Sequence, residues 1–407
     1  MNIVIYAGDN KYYKTLLPIA SEIKKSNHNF LFLYSEETQL KFPQQKEYFA
    51  YDGRFSEDDE SFVSETLDLE LPFKPDVLIL ARERWQPEQS IIHEFKTKFG
   101  SKVYCVEVSS HLLNNIENRL EMLSRKNYPQ NMVDYFFEQS QFAKERRIDC
   151  IDESYRNKSI VVGNPRFSKV KLNSESVYQK YNIDKGKEQI LFWGVINTTR
   201  DVAFNALKIL AEKTKDTHQI FYKCYPGEPY NSKFVNQFNP FIVDGVQVVY
   251  DENDIFDIAN ICGTHIGQVS SVFNFGFFFN KKIVNLDSVC NASERMNDIN
   301  VYIDETSNGV EDSAKFWMNI WNLKTIEEFK TLIDMSRIEK FKETNNLLME
   351  SVRNHTLPFD WECNFLSANK LDYGNLIEFF DEYNLDGNAP SRILEFIEND
   401  DTNGRNI

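Results

Sequence analysis

The sequence predicts an α/β protein made of two parallel-sheet domains facing across a cleft, and three observations carry that prediction. At 407 residues the chain is too long for one ordinary core and fits two domains of roughly 150–200 residues each. It opens with strand, helix and strand in succession, a βαβ unit that calls for a parallel sheet with right-handed crossovers. A second, separate alternation of strands and helices begins at Gln189–Gly194, after a polar stretch. No repeat with a period of about 20–50 residues is visible, which excludes a solenoid.

The elements follow in order. Asn2–Ala7 is a short, β-branched apolar run, the mark of a buried parallel strand, and Gly8-Asp9-Asn10 is a turn. Leu16, Ile19, Ala20 and Ile23 then share one helix face, and Phe30–Tyr34 is the second strand. Ligands of such sheets bind beyond the carboxyl ends of the strands, where Asp9 lies. Residues 35–75 are more polar, and Glu57-Asp58-Asp59-Glu60 reads as a solvated acidic loop. Asp76–Ala81 is the next strand and runs into Arg82-Glu83-Arg84-Trp85, charged residues at the cleft edge. Gln89–Phe99 reads as a helix and Lys102–Val108 as a strand carrying Glu107 near its end. A carboxylate there is costly unless it is paired or faces the cleft. Tyr135–Arg147 is a helix, or a strand followed by a helix.

The domain boundary is expected near Asp149–Ser159, with Ser159–Gly163 as a strand and Asn164-Pro165-Arg166-Phe167 after it. Pro165 stops the strand and biases Asn164 to an extended conformation. Arg166 suits a phosphate or carboxylate partner, and an interdomain salt bridge would look the same. In the second half, Ala203, Leu207, Leu210 and Ala211 share a helix face, and Gln219–Lys223 and Val246–Tyr250 are strands. The stretch Tyr250–Asp287 organises this half: an acidic loop, an apolar-periodic segment at Ile255, Ile258 and Ala259, a run ending in Gly267-Gln268-Val269-Ser270-Ser271, an apolar helix, and a strand over Lys282–Leu286. Ser270 and Ser271 stand where a helix cap would stand, and the first amides of a helix favour an anion. Further on, Val310–Trp321, Thr325–Asn354, Leu376–Tyr383 and Ser391–Asn399 read as helices, Pro358–Trp361 as a break, and Asp400–Ile407 as a polar, disordered tail. The tail has no structural stop, as in a segment of a longer multidomain chain.

Composition excludes several classes. A net charge of −16 argues against general nucleic-acid binding, while leaving room for a local pocket for one nucleotide. The six cysteines are scattered without metal or disulfide spacing and read as reduced thiols of a cytoplasmic protein. The start, MNIVIYAGDN, enters a strand directly and shows no signal segment. No apolar run approaches the ~18 residues of a membrane span.

Three polar strand-ends of the second half are expected to converge: Gly194–Thr199, Lys223–Glu228 and His265–Ser271. Lysine, exposed glycine backbone and hydroxyls at a helix start suit a diphosphate or phosphodiester. Neither GxxxxGK[ST] nor GxGxxG is present, so an ATP-binding P-loop and a dinucleotide fingerprint are unsupported.

With these residues in view, the sequence resembles the two-Rossmann (GT-B) glycosyltransferases of bacterial surface-polymer assembly. The marks are the VGNPRF segment Val162–Phe167, a strand ending in a basic residue before a His-Pro-like pair at Lys223–Pro226, and an acidic helix leading to a Ser-Ser helix start over Glu252–Ser271. They cover about residues 160–290, and the first half resembles the group by topology alone. Within the group the resemblance is to enzymes of cytidine nucleotides: Kdo transferases of capsule and lipopolysaccharide, sialyl- and polysialyltransferases, and CDP-glycerol polymer transferases. It implies that Tyr225-Pro226 and Ser270-Ser271 hold CMP, and Asn164, Arg166, Gly194, Lys223, Glu228 and Gln268 are the further candidates for the nucleotide site. Two departures stand out. Tyr225 replaces the expected histidine and cannot serve as a cation near neutral pH, leaving His265 as a nearby alternative. Glu107-Val108-Ser109 keeps the Glu, and not the Asp, of the Glu-Asp-Gly run of capsule Kdo transferases.

The expectation is therefore a metal-independent, CMP-sugar-dependent GT-B glycosyltransferase, moving Kdo or a related acidic sugar from CMP-Kdo to a saccharide acceptor, with retention, in O-antigen or capsule synthesis. Residues 1–155 form the acceptor domain, 156–355 the nucleotide-sugar domain, and 356–407 helices packing back toward the first domain. Glu107, Glu83, Asp9 and His265 form the pool of catalytic groups, with Glu107 first. No cofactor or metal is expected. Acceptors of this kind are often lipid-linked, which would place the protein at the inner membrane periphery or in a larger assembly, yet no basic amphipathic helix stands out. The alternatives are a CDP-glycerol-type polyol-phosphate transferase, a sialyltransferase of the same fold, and a non-catalytic binding module.

Overall fold

The computed structural model describes residues 1–7, 10–35, 49–51, 71–81, 86–107, 132–150, 153–168, 172–194, 200–224, 243–249, 254–268, 272–290, 335–373 and 386–404. The helices expected at Val310–Trp321 and Leu376–Tyr383 and the acidic run at 57–60 lie outside them.

Two parallel sheets form the frame. The first holds seven strands: β1 (Asn2–Ala7), β2 (Asn29–Ser35), β3 (Phe49–Tyr51), β4 (Val77–Leu80), β5 (Lys102–Val106), β6 (Tyr135–Glu138) and β7 (Ser159–Val161), in the order β3-β2-β1-β4-β5-β6-β7. The second holds six: β8 (Glu188–Trp193), β9 (His218–Lys223), β10 (Val246–Val249), β11 (Thr264–Gly267), β12 (Lys282–Asn285) and β13 (Leu357–Pro358), in the order β10-β9-β8-β11-β12-β13. Every described strand pairing is parallel. In each sheet the chain builds outward from a central strand, then reverses and builds the other way. That is the doubly wound Rossmann order, with a switch point between β1 and β4 in one sheet and between β8 and β11 in the other.

The helices lie where their periodicity puts an apolar face. In α1 (Asn10–Ile23), Leu16, Ile19, Ala20 and Ile23 are all buried against the first sheet. The segment from Tyr135 resolves as a strand followed by α3 (Gln141–Cys150), after α2 (Gln86–Glu94). The second sheet carries α4 (Ser174–Lys180), α5 (Arg200–Thr214), α6 (Ile255–Ile261), α7 (Phe273–Phe278) and the short α8 (Asp287–Cys290). In α5, Ala203, Leu207, Leu210 and Ala211 join one core with Ile190, Phe192 and Ile266.

Two expectations are corrected. The run Ser159–Gly163 does not open the second domain. Ser159–Val161 pairs with Phe136–Glu138, the Val162 amide donates to the Glu138 carbonyl, and Val162 lies in the first core. The chain therefore leaves the first sheet beyond Gly163, later than a boundary at 155/156. Nor is the end of the chain a loose tail from Asp400. The last helix, α10 (Ala389–Gly404), follows α9 (Met335–Asn354) and runs through Asp400. It seats Ile393, Leu394 and Ile397 in the first core, and Phe396 stands edge-on to the rings of Tyr104, Tyr135 and Phe137.

Helix α9 bridges the two halves. Its Leu348 and Val352 pack with Phe273, Phe277 and Ile283 of the second half and with Phe142 of α3, and Lys340 pairs with Asp149 at 3.4 Å. Among the described residues, no helix is long and apolar enough to cross a membrane.

Candidate active site

In a doubly wound sheet the loops that leave the two central strands diverge and open a crevice. In the second sheet those loops follow Gly194 and Gln268, and the neighbouring strand ends at Lys223. Trp193 sits beside Lys223 in register, and the Gly194 amide donates to the Lys223 carbonyl at 2.8 Å. Gly194, Lys223 and Gln268 are thus brought to one edge. Lys223 is 7% exposed, and its ammonium donates to the Cys224 carbonyl at 3.0 Å. Gly267 permits a close approach: a Cβ there would lie 3.2 Å from Cβ of Trp193, tighter than ordinary contact. Helix α7 rests directly on β12, since a Cβ on Gly276 would fall 2.6 Å from Ile283 Cγ1. Tyr225, Pro226, Glu228, Ser270 and Ser271 lie outside the described residues.

The acidic segment before α6 is structural in one respect. Asp254 accepts from Lys180 Nζ at 2.6 Å and the Tyr181 hydroxyl at 2.8 Å, tying α6 to the end of α4.

The linker residues Asn164 and Arg166 stand between the halves. Asn164 is extended, its side-chain carbonyl accepts from the Arg166 amide at 3.0 Å, and its side-chain amide donates to Gln139 at 3.3 Å. The Arg166 guanidinium lies 5.1 Å from the Phe275 ring of α7, and Phe167 packs among Phe256, Phe275 and Phe278. Arg166 therefore reaches from the first sheet to the helix that follows Ser270-Ser271 in the sequence.

His265 is a core histidine, which corrects its place among the catalytic groups. It is 0% exposed, and its Nε2 donates to the Ala259 carbonyl of α6 at 2.9 Å. Burial pushes its pKa down to about 4, with the carbonyl bond opposing, so the ring is neutral and has no path to a leaving group. This has a consequence for acid stability. In the unfolded chain the ring takes its proton near pH 6.5, whereas the folded ring resists it until about pH 4. Folding stability is complete above pH ~6.5 and falls by up to about 3 kcal/mol as pH drops to 4. Urea titrations at pH 7 and pH 4.5 check this: His265→Leu loses less between the two pH values than wild type, and an equal loss contradicts it.

Asp9 and Glu83 follow the two switch-point strands of the first sheet in the sequence and lie outside the described residues. Glu107 follows β5 and is 3% exposed. Its carboxylate accepts from Arg147 Nη2 of α3 at 2.5 Å, and Arg147 Nε also donates to the Glu138 carboxylate at the end of β6. The sequence argument missed Glu138 and Arg147. The signal was present, because Glu138 ends an apolar strand just as Glu107 does, and Arg146-Arg147 follow it in the next helix.

Among the described residues five cysteines are free thiols, and burial pushes Cys290 up to about 11, so it is a weak nucleophile. Among the described residues, no group of three or more His, Cys, Asp and Glu side chains could hold a metal ion.

No family model and no curated protein matches the sequence. Solved structures do match. The UDP-GlcNAc 2-epimerase from Neisseria meningitidis bound to UDP-GlcNAc is 13% identical, with a TM-score of 0.52 over 98% of this chain and 100% of that chain. The UDP-GlcNAc 2-epimerase from Methanocaldococcus jannaschii is 13% identical, with a TM-score of 0.54 over 98% and 99%. The wall teichoic acid polymerase TagF, as its H444N variant, is 12% identical, with a TM-score of 0.53 over 100% and 90%. At such identities the likeness shows the fold: the chain has the GT-B architecture of two Rossmann-like domains.

Proposed function

We propose that the protein is a CMP-sugar-dependent glycosyltransferase that moves Kdo or a related acidic sugar to a saccharide acceptor in bacterial surface-polymer synthesis. The observation that carries this reading is the switch-point edge of the second sheet, where Gly194, Lys223 and Gln268 end neighbouring strands. The nucleotide phosphate lies over that edge, against Lys223 and the backbone amides of Ser270 and Ser271. Arg166 approaches it from the linker. The bond from the anomeric carbon to the phosphate oxygen breaks with oxocarbenium character and its electron pair leaves on CMP, while the acceptor hydroxyl oxygen bonds the anomeric carbon and its proton passes to a carboxylate base or to the departing phosphate. Lys223 and those amides stabilise that charge, as fixed donors do for any developing anion. Glu107, Asp9 and Glu83 supply the carboxylate that faces the anomeric carbon, as in two-carboxylate glycoside chemistry. Glu107 is the first choice because it is fixed at the sheet edge.

A polyol-phosphate transfer from a CDP-linked donor is the second reading. It is favoured by the likeness to TagF, which spans the whole of this chain. The epimerase solved with UDP-GlcNAc adds a uridine donor as a competitor. A thermal-shift panel of CMP, CDP, UDP and GDP, followed by product analysis with CMP-Kdo and CDP-glycerol, separates them. Stabilisation by CMP and a glycosidic product are expected. A phosphodiester product establishes the second reading, and stabilisation by UDP alone overturns both.

A further inference from the structure

Glu107 is held from three sides. Its amide donates to the Phe137 carbonyl at 3.0 Å, and its carbonyl accepts from the Gln139 side chain at 3.1 Å. Its carboxylate is bonded by Arg147. The Arg147 side chain is 1% exposed, and its guanidinium lies 4.4 Å from the Phe136 ring and 5.6 Å from the Tyr155 ring. Its Nε is taken by Glu138, whose side chain is fully buried at the end of β6. Gln139 is bonded in turn by Asn164, so the clamp reaches the segment where the chain leaves the first sheet.

Stability gives weak reason to bury such a group, because packed apolar side chains in place of buried ions are often neutral or better. A carboxylate fixed in both backbone and side chain is what a reaction needs from a group that must not wander. Arg147 suits the task. Its planar fork presents separate N–H edges to two carboxylates, which the point charge of a lysine cannot do.

We propose that Arg147 is a positioning residue that holds the Glu107 carboxylate ionised and in one rotamer toward the reacting sugar, with Glu138 holding Arg147. This rests on the reading of Glu107 as the carboxylate at the anomeric carbon. Neither Arg147 nor Glu138 touches substrate.

The test uses the full chain with Arg147→Lys and Glu138→Gln, each checked for folding by circular dichroism. With CMP-Kdo and acceptor, Arg147→Lys lowers kcat by about 10²-fold and Glu138→Gln by about tenfold, while the donor KM stays within about threefold. Folded variants with kcat within about twofold of wild type would overturn the proposal. A second readout needs no turnover. In protein labelled with carboxyl-13C glutamate, the Glu107 resonance is found by its loss in Glu107→Gln, and both variants move or broaden it. A resonance unmoved in a folded variant also overturns the proposal. If Arg147→Lys does not fold, Glu138→Gln carries both readouts. A wild type that turns over no CMP-sugar ends the donor reading, and the resonance then decides alone whether Arg147 holds Glu107.

Discussion

Replacing Glu107 by glutamine lowers turnover of CMP-Kdo by about 10²–10⁴-fold, the range lost with a positioned proton-transfer or charge-stabilising group. The substitution is nearly isosteric. The amide oxygen still accepts from Arg147 Nη2, and Glu138 still holds Arg147 Nε, so the fold survives the change. On the proposed mechanism, what is lost is the negative charge facing a cationic transition state. The loss belongs in kcat, with donor KM little changed, because the proposed nucleotide seat is on the other sheet. Steady-state kinetics on a variant with an unaltered circular-dichroism spectrum measures it. A variant that turns over at the wild-type rate removes Glu107 from the mechanism and passes its role to Asp9 or Glu83.

The second large effect concerns the closing helix. Asp400→Ala costs about 2–4 kcal/mol of stability. The Asp400 carboxylate accepts from the Tyr104 hydroxyl at 2.6 Å, Lys102 Nζ at 2.9 Å and the Tyr135 hydroxyl at 3.3 Å. Tyr104 is fully buried, so its hydroxyl cannot turn to water once the carboxylate is gone. Burial raises the Asp400 pKa, but bonds from Tyr104 and Lys102 outweigh it and the net shift is downward. The sign follows from that shift. The contribution is complete above the unfolded value of ~3.9 and is lost as pH falls through the lower folded value. Urea unfolding at pH 7 measures the cost. Asp400→Ala with an unchanged midpoint would show that the helix is held without these bonds, by its apolar face of Ile393, Leu394, Phe396 and Ile397.

The frame was legible because both sheets are built of apolar runs and amphipathic helices. The faces read from Leu16 to Ile23 and from Ala203 to Ala211 are the faces that are buried. Partner choice was not legible. Ser159–Val161 reads alike in either sheet, since periodicity shows that a strand is buried and not which strand it pairs with. His265 looked available because nothing local reveals that the Ala259 carbonyl will meet its ring. The polar end of the chain looked like a tail because composition hid the i, i+4 pair Phe396 and Asp400, which share a face against Tyr104 and Tyr135. In the site, the strand ends Gly194, Lys223 and Gln268 could be read in advance, because strand order alone brings them together. The clamp on Glu107 could not, because Arg147 reaches it across two elements.

The central claim is that the switch-point edge of the second sheet seats a cytidine monophosphate. Hydrogen–deuterium exchange of the full chain with and without saturating CMP tests it most directly. Slowed exchange over 194–200, 223–228 and 268–272 is the expected result. Binding with protection confined to other segments, or no protection at any concentration of CMP, would contradict it.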